Sequence, residues 1–188
     1  MSIYIVGITG ASGSILGVRA LEALRAMPDV TIHLIMTAQA KRTLSLETDL
    51  KSADVERLAG VVHDERDLAA AVSSGSFRTD GMLVIPCSMK SAAAIAYSMN
   101  DNLLVRAADV CLKERRRLVL SVRETPLHAG HLRTLTRLAE LGAVIVPPIA
   151  GFYHKPSSVD DIVNHAVGKA LDALGVPTEL FRRWSGAR

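Results

Sequence analysis

Three short segments carry side chains suited to anion and proton chemistry. Gly7-Ile8-Thr9-Gly10-Ala11-Ser12-Gly13-Ser14 sets glycines and hydroxyls between a β-branched run, Ile3 to Ile8, and helically spaced apolar residues from Ile15. Amides at such a helix start favour a phosphate. The spacing Gly7-x-x-Gly10-x-x-Gly13 is neither the dinucleotide G-x-G-x-x-G nor a Gly-Lys-Ser/Thr loop, and a structural turn with Ser12 as helix cap is the alternative. Cys87-Ser88-Met89-Lys90-Ser91 offers hydroxyls and an ammonium at another strand end, or an ordinary capped helix. Arg123-Glu124 puts a guanidinium able to grip phosphate beside a carboxylate able to move protons, or forms an internal ion pair.

Other chemistry-bearing residues read less sharply. Arg106 and Lys113 are seven apart and share a helical face about 10 Å along the axis, lining an anion site or a solvated face. Lys113-Glu114-Arg115-Arg116-Arg117 is the densest basic run, but few aromatics accompany it and the net charge is only +3, which argues against nucleic acid. His63, His128, His131 and His154 lack a metal-ligand spacing, so no metal is expected. Cys87 follows Pro86 on an apolar strand and reads as core rather than nucleophile. Trp184, between Arg183 and Ser185, reads as a packing anchor, with ligand stacking as the alternative.

The elements that must position these residues alternate. Strands are expected at Ile3 to Ile8, Val30 to Met36, Met82 to Pro86, Leu118 to Val122 and Ala143 to Val146. Helices are expected from Ile15, from Ala38, after Ser88, over Asp101 to Arg115, over His128 to Leu141 and from Ser158 to Leu174, the last with Ser158 and Asp161 as a capping box. The polar stretch from Glu47 to Thr79 fits no one pattern. Such alternation implies an α/β fold, a three-layer doubly wound parallel sheet, with ligands outside the carboxyl ends of the strands. Gly10, Thr37, Ser88, Arg123 and Tyr153 all follow strands and so converge on one rim.

Composition agrees with that architecture. At 188 residues a single domain, 1–188, is expected, able to bury roughly 70 % of its unfolded surface. Apolar residues make up 49 % and aromatics 4 %, an aliphatic mix that disfavours a β-sandwich. Two cysteines without scaffold spacing, no signal-peptide pattern and no apolar run of about 18 residues predict a cytoplasmic protein that does not span a membrane.

Taken in order, Gly10-Ala11-Ser12-Gly13, Pro86-Cys87-Ser88-Met89-Lys90, Arg106-Ala107-Ala108-Asp109-Val110, Leu112-Lys113-Glu114-Arg115, Arg123-Glu124-Thr125-Pro126-Leu127 and Phe152-Tyr153-His154 closely resemble the UbiX flavin prenyltransferase family, as does Ser73-Ser74-Gly75-Ser76-Phe77. The resemblance implies a flavodoxin-like fold and a homododecamer built from trimers. It also implies a metal-independent transferase that joins dimethylallyl phosphate to reduced FMN, giving prenylated FMN for a UbiD-type decarboxylase.

By that resemblance Gly10, Ala11, Ser12, Thr37, Ser88, Met89, Lys90, Ser91 and Arg123 match FMN-contacting positions, and Tyr153 and Lys169 match prenyl-phosphate positions. Arg106, Lys113 and Glu124 match residues around that phosphate, and Glu47 and Trp184 match further site positions. Ser12, Glu124, Lys113 and Glu47 are the expected catalytic set, with neighbouring chains sharing each site. Cations and hydroxyls on a departing phosphate would lower the barrier to allyl transfer, and Glu124, through Ser12 and phosphate, would take the proton lost on ring closure.

The sequence departs from the family in places. Pro147-Pro148-Ile149-Ala150-Gly151-Phe152-Tyr153 lacks a third proline and gains a glycine, Thr37 stands where Ser is frequent, and Lys169 where Arg is common, losing bidentate grip. The rival readings are an FMN-dependent cysteine decarboxylase, whose Pro-Ala-x-Ala-Asn-Thr-like segment is absent here, and a non-catalytic FMN carrier.

Overall fold

A computed structural model of the chain describes residues 1–184 and 186. The last positions of the expected 1–188 domain, Ser185, Ala187 and Arg188, lie outside the described residues. Six parallel strands, β1 (Ser2–Ile8), β2 (Val30–Met36), β3 (Val61–His63), β4 (Gly81–Cys87), β5 (Arg117–Val122) and β6 (Val144–Ile145), form one sheet in the order β3-β2-β1-β4-β5-β6. Of the two common doubly wound orders this is the six-stranded one, in which the chain reverses direction across the sheet between β1 and β4.

Among the described residues six helices connect them and a seventh follows β6: α1 (Ser14–Arg25), α2 (Ala38–Glu47), α3 (Ser52–Glu56), α4 (Met89–Ala96), α5 (Leu103–Lys113), α6 (Ala129–Glu140) and, last, α7 (Val159–Leu174). Because strand side chains alternate in direction, Ile5 enters the core under α4 and α5 while its neighbour Val6 enters the core under α1 and α7. Leu21, Leu34, Leu83 and Leu171 fill the one layer, and Met82, Ile95, Leu104 and Leu120 the other. The expected three-layer fold is thus what the chain adopts.

Local chemistry sets the boundaries. Ser158 and Asp161 form the expected capping box on α7, and Gly175 closes that helix in the left-handed conformation. Helix α5 stops two residues short of the expected Arg115, which adopts a positive φ and turns the chain into β5. The unpatterned stretch contains α3, a short 3-10 turn at Ala71–Ser73 and β3. β3 is a three-residue edge strand with Val61 and Val62 partly exposed, too short to print an alternation.

Pro86 interrupts the ladder inside a fully buried strand, since it has no N–H to give. Val84 pairs with Leu120 and the next partners are Cys87 and Val122, so three steps on β4 match two on β5. This bulge sits immediately before Ser88 and frees the Pro86 carbonyl for other use.

Candidate functional site

The freed Pro86 carbonyl accepts from the Thr9 amide at 3.2 Å and the Thr9 hydroxyl at 2.8 Å, and Thr9 Oγ1 accepts from the Ser88 amide at 2.8 Å. Thr9 is buried, so one hydroxyl staples the β1 and β4 loops across the switch point. Sequence reasoning passed over Thr9, although its place between strand and glycine turn was a signal.

A cleft of about 440 Å³ opens above this staple, lined by Gly10, Thr37, Ser88, Lys90 and Ser91 together with Ala38, Gln39, Glu65 and Asn102. Three helices begin here. Thr37 caps α2 by accepting from the Ala40 amide, Ser88 caps α4 by accepting from Ser91, and Asn102 caps α5 by accepting from Val105. The positive ends of three helix dipoles therefore face one volume, an arrangement that favours a phosphate or an electron-rich polar ring. Gly10 is required by closeness: a Cβ there would stand 2.5 Å from Gln39 Cβ. Met89 packs its side chain into the core, and Ala11 is likewise buried, so neither side chain lines the cleft. Glu65 and Asn102 were missed; Asn102 carries a legible cap signature, whereas Glu65 lies in the unpatterned stretch.

The first turn differs from the expectation of exposed phosphate-binding amides. The N-cap of α1 is Gly13, at φ 99°, and Ser12 does not cap it. Glu47, reaching from the last residue of α2, accepts from the Gly13 amide at 3.0 Å and the Ser14 amide at 2.9 Å. A carboxylate already occupies the helix start that a phosphate was expected to use. Burial pushes the Glu47 carboxyl up, but the Ser12 hydroxyl and the Ser14 and Gly13 amides outweigh it and hold the group below the usual carboxylate range. Glu47 and the exposed Ser12 thus form an ionised carboxylate–hydroxyl pair on the rim.

The remaining expected residues fall into separate places. Arg123 and Glu124 are exposed at the end of β5, where Arg123 N donates to the Cys87 carbonyl, and no ion pair joins them among the described residues. Glu124 Oε1 accepts from the Thr125 amide. Tyr153 is half-exposed in the loop before α7, with its hydroxyl 2.9 Å from His165 Nε2 and Trp184 edge-on at 5.9 Å. Lys169 is exposed on α7 one turn beyond His165.

Arg106 and Lys113 do not reach the cleft of their own chain. Arg106 donates to the Ser73 carbonyl and pairs with Asp109, and Lys113 pairs with Glu114. Helix α5 starts at the cleft rim and ends where β5 begins, so Lys113 lies at the amino ends of the strands, a strand length or about 20 Å away. There a cavity of about 690 Å³ is bordered by Lys113, Arg115, Arg116 and Arg117. Cys87 is fully buried and its thiol is pushed up to about 12, which removes it as a nucleophile. Among the described residues no three His, Cys, Asp or Glu side chains gather as metal ligands would, and no helix is long and apolar enough to cross a membrane.

Comparison with known proteins extends over the whole chain. The family described as Flavoprotein matches residues 2–171. The flavin prenyltransferase UbiX of Escherichia coli strain K12 is 57 % identical over 189 aligned positions, covering 100 % of both chains. A dodecameric FMN-dependent UbiX-like decarboxylase from Escherichia coli O157:H7 superposes with a TM-score of 0.96 at 52 % identity, covering 98 % of this chain and 100 % of that one. AnUbiX, solved with FMN and dimethylallyl pyrophosphate, gives a TM-score of 0.97 at 48 % identity, over 100 % of this chain and 99 % of the other.

Proposed function

The chain belongs to the Flavoprotein family and, within it, to the UbiX flavin prenyltransferases, and from that premise we propose that it joins the dimethylallyl group of dimethylallyl phosphate to N5 and C6 of reduced FMN. One C5 unit is added to the flavin and inorganic phosphate leaves. The observation that carries this reading is the switch-point cleft, where Gly10, Thr37, Ser88, Lys90 and Ser91 supply hydroxyls, an ammonium and helix starts around one volume. The donor set suits FMN: close backbone approach at Gly10 and dipole-facing space at α4 and α5. When bound, reduced FMN supplies an electron-rich nitrogen as the prenyl acceptor.

The protein's own residues then hold the second substrate and move protons. Tyr153 and Lys169 would bind the prenyl phosphate while Arg123 would hold FMN, and positive charge at the phosphate stabilises its oxygens as the C–O bond breaks. Arg106 and Lys113, which lie away from the rim in their own chain, would serve a neighbouring chain's cleft in a homododecamer built from trimers. Glu124, through Ser12, would take the proton released at C6, while ionised Glu47 holds Ser12 in place. Trp184, against Tyr153, would cover the prenyl chain. The whole of 1–188 would act as one cytoplasmic domain, and its product would pass to a UbiD-type decarboxylase.

Glu124→Gln tests the proton assignment. It should slow prenyl transfer by about 10²-fold or more, the share a positioned acid–base group supplies, while FMN affinity stays within about twofold, as expected of a side chain whose one hydrogen bond among the described residues is local. Loss of bound FMN would instead make Glu124 a structural residue.

A further inference from the structure

His165 is the one histidine of α7, nine-tenths buried, and nothing in the prenyl-transfer reading uses it. Its ring is held from several sides. His154 stacks on it at 4.9 Å and 16°, and Phe181 meets it edge-on at 5.0 Å. Gly151, the glycine by which this loop departs from the family pattern, leaves it room: a Cβ there would lie 2.8 Å from His165 Cε1 and 3.2 Å from Tyr153 Cε1.

The two ring nitrogens have different surroundings. Nε2 lies 2.9 Å from the Tyr153 hydroxyl, whereas Nδ1 is buried without a hydrogen-bond partner among the described residues. Burial, then His154 and Lys169, push the imidazole below its usual range, so it is neutral near pH 7 and carries one proton. Placing that proton on Nδ1 would bury an orphan N–H, while placing it on Nε2 leaves only an unused lone pair, the more tolerable outcome.

On this geometry, and resting on the reading of Tyr153 as a prenyl-phosphate ligand, we infer that His165 is a positioning residue: its Nε2–H donates to the Tyr153 oxygen and leaves the Tyr153 O–H free to donate to a phosphate oxygen. A tyrosine hydroxyl has one proton to give. An imidazole accepting that proton would turn the phenol away from an anion; an imidazole donating to the oxygen aims it. The role follows from direction as much as from distance, and Gly151 is the backbone feature that lets the two rings meet.

The test compares steady-state constants for dimethylallyl phosphate, and FMN affinity, in four variants. His165→Met removes the donor with a side chain that adapts to irregular gaps. His165→Gln keeps an N–H donor, Tyr153→Phe removes the hydroxyl, and the last variant combines His165→Met with Tyr153→Phe. His165→Met and Tyr153→Phe should each raise KM for dimethylallyl phosphate about tenfold, the value of one hydrogen bond to a charged group. FMN binding should be unchanged, His165→Gln should recover most of the loss, and the double variant should be no worse than Tyr153→Phe. Equal losses in Met and Gln, or a full His165→Met effect persisting without the tyrosine hydroxyl, would overturn the positioning role. An unchanged KM in Tyr153→Phe would overturn the phosphate role of Tyr153 itself, and the positioning role with it. If His165→Met fails to bind FMN, near-normal constants in His165→Gln beside a raised KM in Tyr153→Phe still support the inference, and a raised KM in both overturns it.

Discussion

At the scale of single residues, Glu47 caps α1 through the Gly13 and Ser14 amides, and the nearby Ser12 hydroxyl helps hold its carboxyl below the usual range. An acid at a helix start is stabilising because it answers both the orphan amides and the dipole. Its folded pKa is depressed, so the contribution is whole above the unfolded value of about 4.3 and is lost as pH falls through the folded value. Glu47→Gln should therefore lower stability at pH 7 by about 1 kcal/mol. In denaturant melts that gap should close as the pH drops below about 4; a gap constant from pH 7 to pH 3 would mean that the carboxylate charge contributes nothing. The turn sequence contained no sign of this arrangement, because the partner of Gly13 and Ser14 comes from the far end of another helix.

At the scale of elements, the cleft depends on how closely the β1 loop approaches α2. Gly10→Ala would drive a methyl into Gln39, and α2 would have to shift by a few tenths of an ångström or more. FMN affinity should fall at least about tenfold while the global melt changes by about 1–3 kcal/mol, the usual cost of overpacking, as read by flavin titration beside thermal melts. Unchanged affinity would show that the loop–helix approach does not shape the site. Elements with strong period or clear caps were legible in the sequence: β2 begins and ends where expected, and Ser158 caps α7 as read. What stayed illegible had a physical cause. β3 is a short exposed edge, the β4 bulge arises from Pro86 only in the context of β5, and Thr9 acts through a contact 77 positions away along the chain. The rim residues Gly10, Thr37 and Ser88 could be placed because parallel sheets send their loops to one edge; the remoteness of Lys113 from that edge follows from the same rule, once α5 is seen to run the length of the sheet.

At the scale of the whole molecule, one chain carries a cleft at the carboxyl ends of the strands and a cluster of cations at their amino ends, and the proposed function has neighbouring copies complete each site. Two variants impaired in different parts, Ser12→Ala and Lys113→Ala, should each lose about 10²-fold in prenyl transfer. Co-expressed, they should recover a clear fraction of wild-type activity in mixed oligomers, where some sites draw both intact residues from different chains. Mixed oligomers no more active than the parents would place both residues in one chain's site. The most direct test of the central claim is the mass of the flavin released after the purified protein meets reduced FMN and dimethylallyl phosphate without oxygen. The account predicts FMN heavier by one C5 unit, in a form that activates a UbiD-type decarboxylase; unmodified FMN, from protein that binds flavin and with an active decarboxylase as control, would contradict it.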